Sequence, residues 1–301
     1  MKIVVGSRGS KLAVIQSKWV MEQIKSHYPE MEFELKIIKT KGDKVLDRAL
    51  DKIGDKGIFV KEIEQALINE EIDMAIHSMK DMPTEVPDGL IFTKPPLRQD
   101  YRDVMIFREK IKSLDELPKG SIVGTGSKRR KYQLLKYRPD LKINLIRGNV
   151  DTRIRKLDAG EYDAIVLAAA GVKRLELDRR IGCYLSDEIM VPSPAQGILA
   201  IEIKDGRDKL KNILNSVSDE NAYIQSKCER TFLKSVNGGC HIPVGAICNI
   251  DGDEISLTGI LGLEDGSMLV KDTVIGKVGQ EEQLGQRLAN NIMEVLGYEN
   301  R

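Results

Sequence analysis

The sequence is poor in the residues that usually build metal and redox sites. Its 301 residues include four cysteines and three histidines. The cysteines, Cys183, Cys228, Cys240 and Cys248, form no Cys-x-x-Cys pair and no regularly spaced framework. That argues against a disulfide scaffold and for reduced thiols in a cytoplasmic protein. His27, His77 and His241 lie far apart, with no His-x-x-x-His spacing, so no metal is expected. Long apolar runs are missing too. The longest, Ala164 to Val172, falls far short of the ~20 residues that span a bilayer, so no membrane is expected. The segment from Met1 to Gly6 has no apolar signal core either. Nor is there an excess of one charge: 47 lysines and arginines face 46 acids, leaving +1. That balance excludes a basic-tailed nucleic-acid binder and an acidic disordered chain. One short basic run, Ser127 to Lys131, and 5% aromatics give nucleic-acid binding little support.

What is present is length and a clear order of elements. At roughly 150 residues per domain the chain suggests two or three domains. It is long enough to bury about three quarters of its unfolded surface without a staple. The first hundred residues read β-α-β-α-β, which implies a largely parallel sheet. Strands are expected at Lys2–Val5, Glu32–Ile38 and Asp73–Ile76, and helices after Ser10 and over Val60–Ile68. The pattern restarts after Pro95-Pro96, with strands at Val104–Phe107, Ser121–Val123, Lys142–Ile146 and Ala164–Ala169. A basic helix is expected from about Lys128, and a second, capped by Asn149, ends at Gly160. Ile198–Ile203 reads as one more strand. From Ser218 the style changes: a capped helix runs to Val236, two strand pairs turn at Asp251-Gly252 and Asp265-Gly266, and a helix covers about Gln280–Leu296.

The two α/β units echo each other. Each has a strand, a Gly/Ser turn and a helix start with arginine nearby: Gly6–Ser10 with Arg8, and Gly124–Ser127 with Arg129 and Arg130. Ligands of open α/β sheets bind outside the carboxyl ends of the strands, and helix N-termini suit anions. Two such units facing each other would form a cleft for a negatively charged ligand. Arg8, Arg129, Arg130, Arg147, Arg153 and Arg174 are all expected at such rims. Like charges within ~5 Å cost roughly 1–3 kcal/mol per pair, so the set points to a polyanion rather than to folding. Arginine grips carboxylate or phosphate with a two-pronged fork. The turns match neither Gly-x-x-x-x-Gly-Lys-[Ser/Thr] nor Gly-x-Gly-x-x-Gly, which argues against a nucleotide.

Two further residues stand out. Asp81, in Ser78-Met79-Lys80-Asp81-Met82-Pro83, is a carboxylate just after a buried strand. It is either a group that stabilises a cation or shuttles a proton, or an ordinary turn residue before proline. Cys240 follows Gly238-Gly239 and is either an exposed thiol able to carry a covalent group or a buried inert one. His77 reads as a packed strand-end residue rather than a general base.

Seven segments, in order, resemble the porphobilinogen deaminase (hydroxymethylbilane synthase) family over nearly the whole chain. They are Gly6–Ala13; Lys56 with Gly57-Ile58-Phe59-Val60-Lys61-Glu62; Ala75-Ile76-His77-Ser78-Met79-Lys80-Asp81-Met82-Pro83; Thr125–Arg130; Arg147-Gly148-Asn149-Val150 with Arg153; Gly171–Leu175; and Gly238-Gly239-Cys240-His241-Ile242-Pro243-Val244-Gly245. The resemblance implies two periplasmic-binding-protein-like α/β domains with mixed, mostly parallel sheets, plus a small C-terminal α+β domain. Their expected bounds are 1–97 with 198–216, then 98–197, then 217–301. It implies condensation of four porphobilinogens, with loss of ammonia, into hydroxymethylbilane. The primer would be a dipyrromethane cofactor held by a thioether to Cys240. Asp81 would be catalytic, facing pyrrole nitrogens and the cationic azafulvene that forms as ammonia leaves. The resemblance places Ser78, Lys80, Asp81, Thr125, Ser127, Arg129, Arg130, Arg147 and Gly148 around the cofactor. It places Arg8, Ser10, Lys56, Phe59, Arg153, Arg174, Gln196 and Gly197 around the substrate. It also implies a monomer whose partner is porphobilinogen, with no nucleic acid and no membrane. The family's usual Pro-Ala-x-Gly-Gln-Gly is here Pro192-Ser193-Pro194-Ala195-Gln196-Gly197, so an alanine stands where a glycine is expected. If that position needs positive φ, alanine strains it. The rival reading is a carboxylate-binding protein of the same architecture, which would need neither Lys80-Asp81 nor Gly238-Gly239-Cys240.

Overall fold

The computed structural model describes residues 2–40, 60–237 and 242–298. The chain divides into two compact units, Met1–Gln99 with Gly197–Tyr223, and Asp100–Gln196 with Ile224–Arg301. The first contains β1 (Lys2–Ser7), α1 (Lys11–His27), β2 (Glu32–Ile37), α2 (Lys61–Ile68), β3 (Met74–Ser78), β4 (Leu90–Phe92), β10 (Leu199–Lys204) and α6 (Asp208–Leu214). Its sheet runs β2-β1-β3-β10-β4. β1 is parallel to β2 and β3, and β10 is antiparallel to β3 and β4. Both faces of the sheet are covered. Val20 and Ile24 of α1 pack with Ile3, Val5, Met74, Ile76 and Ile201 on one side. Ile63 and Leu67 of α2 pack with Ile72 and Ala75 on the other. Burial on both sides is why β3 reads as an apolar run rather than an alternation.

The second unit repeats this plan. It holds β5 (Asp103–Phe107), β6 (Ile122–Gly124), α3 (Lys128–Tyr137), β7 (Lys142–Asn144), α4 (Val150–Asp158), β8 (Ala164–Ala168), α5 (Ala169–Arg174) and β9 (Cys183–Tyr184). The order β7-β6-β8-β5-β9 matches β2-β1-β3-β10-β4 strand for strand, with β5 as the reversed member. The correspondence reaches individual side chains. Asp73 Oδ2 accepts the Val4 N–H at 2.8 Å, and Asp163 Oδ2 accepts the Ile122 N–H at 2.8 Å, tying β1 to the residue before β3 and β6 to the residue before β8. Gly6 and Gly124, at equivalent strand ends, leave no room for a side chain: a Cβ would stand 2.3 Å from Ile72 and 2.9 Å from Tyr162.

The C-terminal part is a meander of β11 (Val244–Asp251), β12 (Glu254–Gly262) and β13 (Leu269–Lys277), packed with α7 (Glu220–Ser235) and α8 (Glu281–Leu296). The two expected strand pairs thus share β12. The core is Cys228, Phe232, Leu257, Leu261, Leu288 and Ile292. It joins the rest of its unit through Val191, Ile247 and Ile260 and through the Ala246 N–H, which donates to the Pro192 carbonyl at 3.0 Å. Some local expectations shift. The Asn149 side chain makes no capping bond. Of the expected cap residues Ser218, Asp219 and Glu220, Asp219 caps α7, accepting the Ala222 N–H at 2.7 Å. The apolar run from Ala164 turns helical at Ala169.

Candidate functional site

In the first unit the predicted residues gather at the carboxyl ends of β1 and β3. Ser10 caps α1, accepting the Ala13 N–H at 3.3 Å, and Arg8 lies in the turn before it. Ser78 ends β3 and accepts a hydrogen bond from Gln16 Nε2 at 3.0 Å. Gln16 is buried on α1 and was invisible as a site neighbour in the sequence. The Met79 N–H donates to the Ile198 carbonyl at 3.0 Å, and a single 3₁₀ turn, Met79–Asp81, follows. Met79 is buried beneath it, Lys80 is half-buried and Asp81 is exposed. An apolar anchor and two fixed hydrogen bonds therefore present a carboxylate to solvent at a defined place. Gly197, also at this edge, has φ +91°, and a Cβ there would lie 2.3 Å from the Gln99 carbonyl oxygen.

In the second unit the set lies at the ends of β6, β7 and β8. Thr125 Oγ accepts the Ser127 N–H at 3.2 Å, and Ser127 Oγ accepts the Arg130 N–H at 3.4 Å, capping α3. Arg129 and Arg130 turn inward onto Asp103, the first residue of β5. Arg129 Nη1 stands 2.7 Å from Oδ2, and Arg130 donates from Nε at 3.1 Å and Nη2 at 2.7 Å to Oδ1. Gln196 Nε2 adds a bond to Oδ1 at 3.0 Å and one to the Tyr101 carbonyl at 2.7 Å. Burial alone would raise the Asp103 carboxyl; the two guanidiniums outweigh it and hold it well below the usual range. Burial lowers Arg129, against the pull of Asp103. The expectation that clustered arginines need an outside anion is corrected for this pair: Asp103 supplies the counter-charge from within. The sequence signal was an acid opening an otherwise apolar strand.

The other arginines differ. Arg147 follows β7, and its Nε is buried without a hydrogen-bond partner. Arg153, on α4, donates from Nε to the Gly148 carbonyl at 2.8 Å. Arg174, at the end of α5, is desolvated, which lowers its guanidinium to about 10. Ala195 does adopt positive φ, +59°, and its N–H donates to Glu229 at 2.6 Å. Lys56, Phe59 and Cys240, with Gly57, Ile58, Gly238, Gly239 and His241, lie outside the described residues.

A family model described as porphobilinogen deaminase, dipyromethane cofactor binding domain, matches residues 3–212, and one for the porphobilinogen deaminase C-terminal domain matches residues 223–294. The chain belongs to the porphobilinogen deaminase family. A curated porphobilinogen deaminase from Clostridium novyi is 56% identical over 299 residues, covering 98% of this chain and 100% of that one. Another, from Clostridioides difficile, is 52% identical over 300 residues, 100% of this chain and 99% of that one. Among solved structures, the Bordetella pertussis BvgS periplasmic VFT2 domain is similar at a TM-score of 0.42 and 18% identity, over 72% of this chain and 86% of that one. A score that low leaves the fold to be read from the sheets themselves. The chain thus carries the cofactor-binding domain of the porphobilinogen deaminase family, and its residues fit such a group. Dipyrromethane bears acetate and propionate side chains, and the orphaned Arg147 Nε and the desolvated Arg174 are donors suited to carboxylates. No helix among the described residues is long and apolar enough to cross a membrane.

Proposed function

We propose that the chain is a transferase of tetrapyrrole synthesis. It joins four porphobilinogens in turn, with loss of ammonia, onto a dipyrromethane primer and releases hydroxymethylbilane by hydrolysis. The reading is carried by the match to relatives of that name along the whole chain, 56% identical over 299 residues for one of them. Cys240 holds the primer through a thioether. When bound, the dipyrromethane supplies the free pyrrole carbon onto which the first substrate is joined.

The chain's own residues do the rest. Asp81, exposed on its anchored turn, opposes the positive charge that develops on a pyrrole ring as ammonia departs, and accepts hydrogen bonds from pyrrole N–H groups. Lys80, beside it, neutralises an acetate or propionate, with Ser78 at the base of the turn. Arg147, Arg153 and Arg174 take further carboxylates. The Thr125 and Ser127 oxygens accept local bonds, which leaves their hydroxyl protons for donation to the ligand. Arg129 and Arg130 are held by Asp103 and by the Val191 and Val166 carbonyls, so they offer the cofactor only the N–H groups that those bonds leave. Gly148 and Gly197 keep the backbone close, Arg8, Ser10, Lys56 and Phe59 serve the incoming substrate, and Gln196, expected there too, is instead buried on Asp103 and the Tyr101 carbonyl. The reading includes a monomer, and a place in the cytoplasm that four cysteines without a regular framework support.

Intact-mass measurement of the purified protein tests this. Two pyrrole units should ride on the chain and map to Cys240 after digestion, and Cys240→Ser should carry none. A fully active preparation at the bare sequence mass would overturn the reading. Asp81→Ala should fold normally yet lose turnover.

A further inference from the structure

Beneath the Met79–Asp81 turn the first unit buries three titratable groups that this chemistry does not use. His77, on β3, is buried, and its Nε2 lies 3.1 Å from Glu202 Oε2 on β10. Glu202 is fully buried, and its second oxygen has no hydrogen-bond partner. Glu64, on α2, is buried in the same region. Burial raises its carboxyl, the charge of Glu202 adds to that, and His77 and Lys61 oppose it.

Stability alone does not account for this arrangement. A buried charged or hydrogen-bonded pair is often no more stable than apolar side chains of the same volume. The apolar side chains on that face of the sheet are Ile63, Leu67, Ile72 and Ala75. What the pair supplies is direction. β3 and β10 run antiparallel with Ala200 opposite His77 and Glu202 opposite Ala75. His77 and Glu202 are thus diagonal neighbours on one face, and their bond ties the end of β3 to the middle of β10. The next residue, Ser78, is held by Gln16, and the one after, Met79, by the Ile198 carbonyl. Then comes the turn that carries Lys80 and Asp81.

We propose that the His77–Glu202 pair is a positioning device: it fixes the end of β3 against β10 and so sets where the Asp81 carboxylate stands. The proposal rests on the reading of Asp81 as the group that faces the reacting pyrrole. Both residues act through the turn and touch no substrate.

The test compares Glu202→Gln, His77→Gln and the double variant with wild type, on full-length protein loaded with its pyrrole adduct. Displacing a reacting group by about 1 Å can cost up to a hundredfold in rate, so kcat for porphobilinogen consumption should fall roughly ten- to a hundredfold. KM should stay within about twofold, because the carboxylate-binding arginines belong to other elements. The double variant should be no slower than the worse single one, as expected of residues that work as a unit. Wild-type kcat in a folded Glu202→Gln, or a double variant whose loss is the product of the two single losses, would overturn the proposal. Should Glu202→Gln fail to fold, His77→Gln carries the same comparison. Asp81→Ala is measured alongside. If it is inactive while Glu202→Gln is normal, only the positioning role fails; if it turns over normally, the reading of Asp81 fails and the positioning role falls with it.

Discussion

At the scale of single residues, Asp103 does more than any motif residue to shape its unit. It is fully buried and gathers Arg129, Arg130 and Gln196 around one carboxylate. Removing its charge leaves two guanidiniums buried without their counter-ion, an arrangement that costs about 3–5 kcal/mol. Asp103→Asn should therefore lose about that much at pH 7, measured by urea denaturation. The pH dependence has a definite sign. The folded carboxyl sits below its unfolded value because the arginines outweigh the effect of burial. Its stabilisation is then complete above about pH 4, the ordinary carboxylate range, and is lost as pH falls further. The gap between wild type and variant should narrow on acidification below that point. A gap constant from pH 7 to pH 2 would show that the carboxylate's charge is not what holds the pair. Glu64 has the opposite sign. Burial raises its carboxyl, with Glu202 adding to the shift, so the folded state is penalised as pH rises through that range. Glu64→Gln should be more stable than wild type at pH 8 and equal to it near pH 4.

At the scale of elements, the loop 192–197 shows how a sequence departure becomes a structural cost. Ala195 sits at φ +59°, where an alanine loses roughly 1–2 kcal/mol to the clash of its Cβ with the following carbonyl. Its N–H is fixed by Glu229, so the loop cannot relax without leaving a buried carboxylate short of a donor. Ala195→Gly relieves the clash, partly offset by the extra freedom of glycine in the unfolded chain, and should gain about 0.5–1 kcal/mol. An unchanged urea midpoint would mean that the strain is absorbed elsewhere. The family pattern flagged this position by its missing glycine, and the structure supplies the positive φ. β1, β3, β8 and the start of α3 were legible from local signals, because apolar runs and Gly turns are read residue by residue. What was not legible were contacts set by strand pairing. Nothing local says that β5 and β10 run backwards in their sheets, and those two strands deliver Asp103 and Glu202. The short α5 and α6 were missed because one or two turns leave too little periodicity to separate them from an apolar strand or a loop.

At the scale of the molecule, the duplicated sheets and the C-terminal meander keep separate cores. The clusters around β1, β3 and β10 draw every residue from the first unit, and those around β8 and β12 draw every residue from the second. Among the described residues Phe232 is the largest fully buried side chain, and it is closely hemmed in: a Cβ on Gly285 of α8 would meet the Phe232 backbone nitrogen at 2.8 Å, and one on Gly259 would meet its ring at 3.0 Å. With no slack around the ring, Phe232→Ala leaves a cavity that neighbours cannot fill and should cost about 3–5 kcal/mol. Stability is not uniform across a structure, and opening follows the boundaries of packed units. In Phe232→Ala, amide hydrogen exchange should therefore accelerate in β11, β12 and β13, which share its core. The amides of β1 and β3 should exchange at wild-type rates. Equal acceleration in β1 and β3 would mean that the molecule opens as one cooperative block, and that its separate cores do not divide its stability.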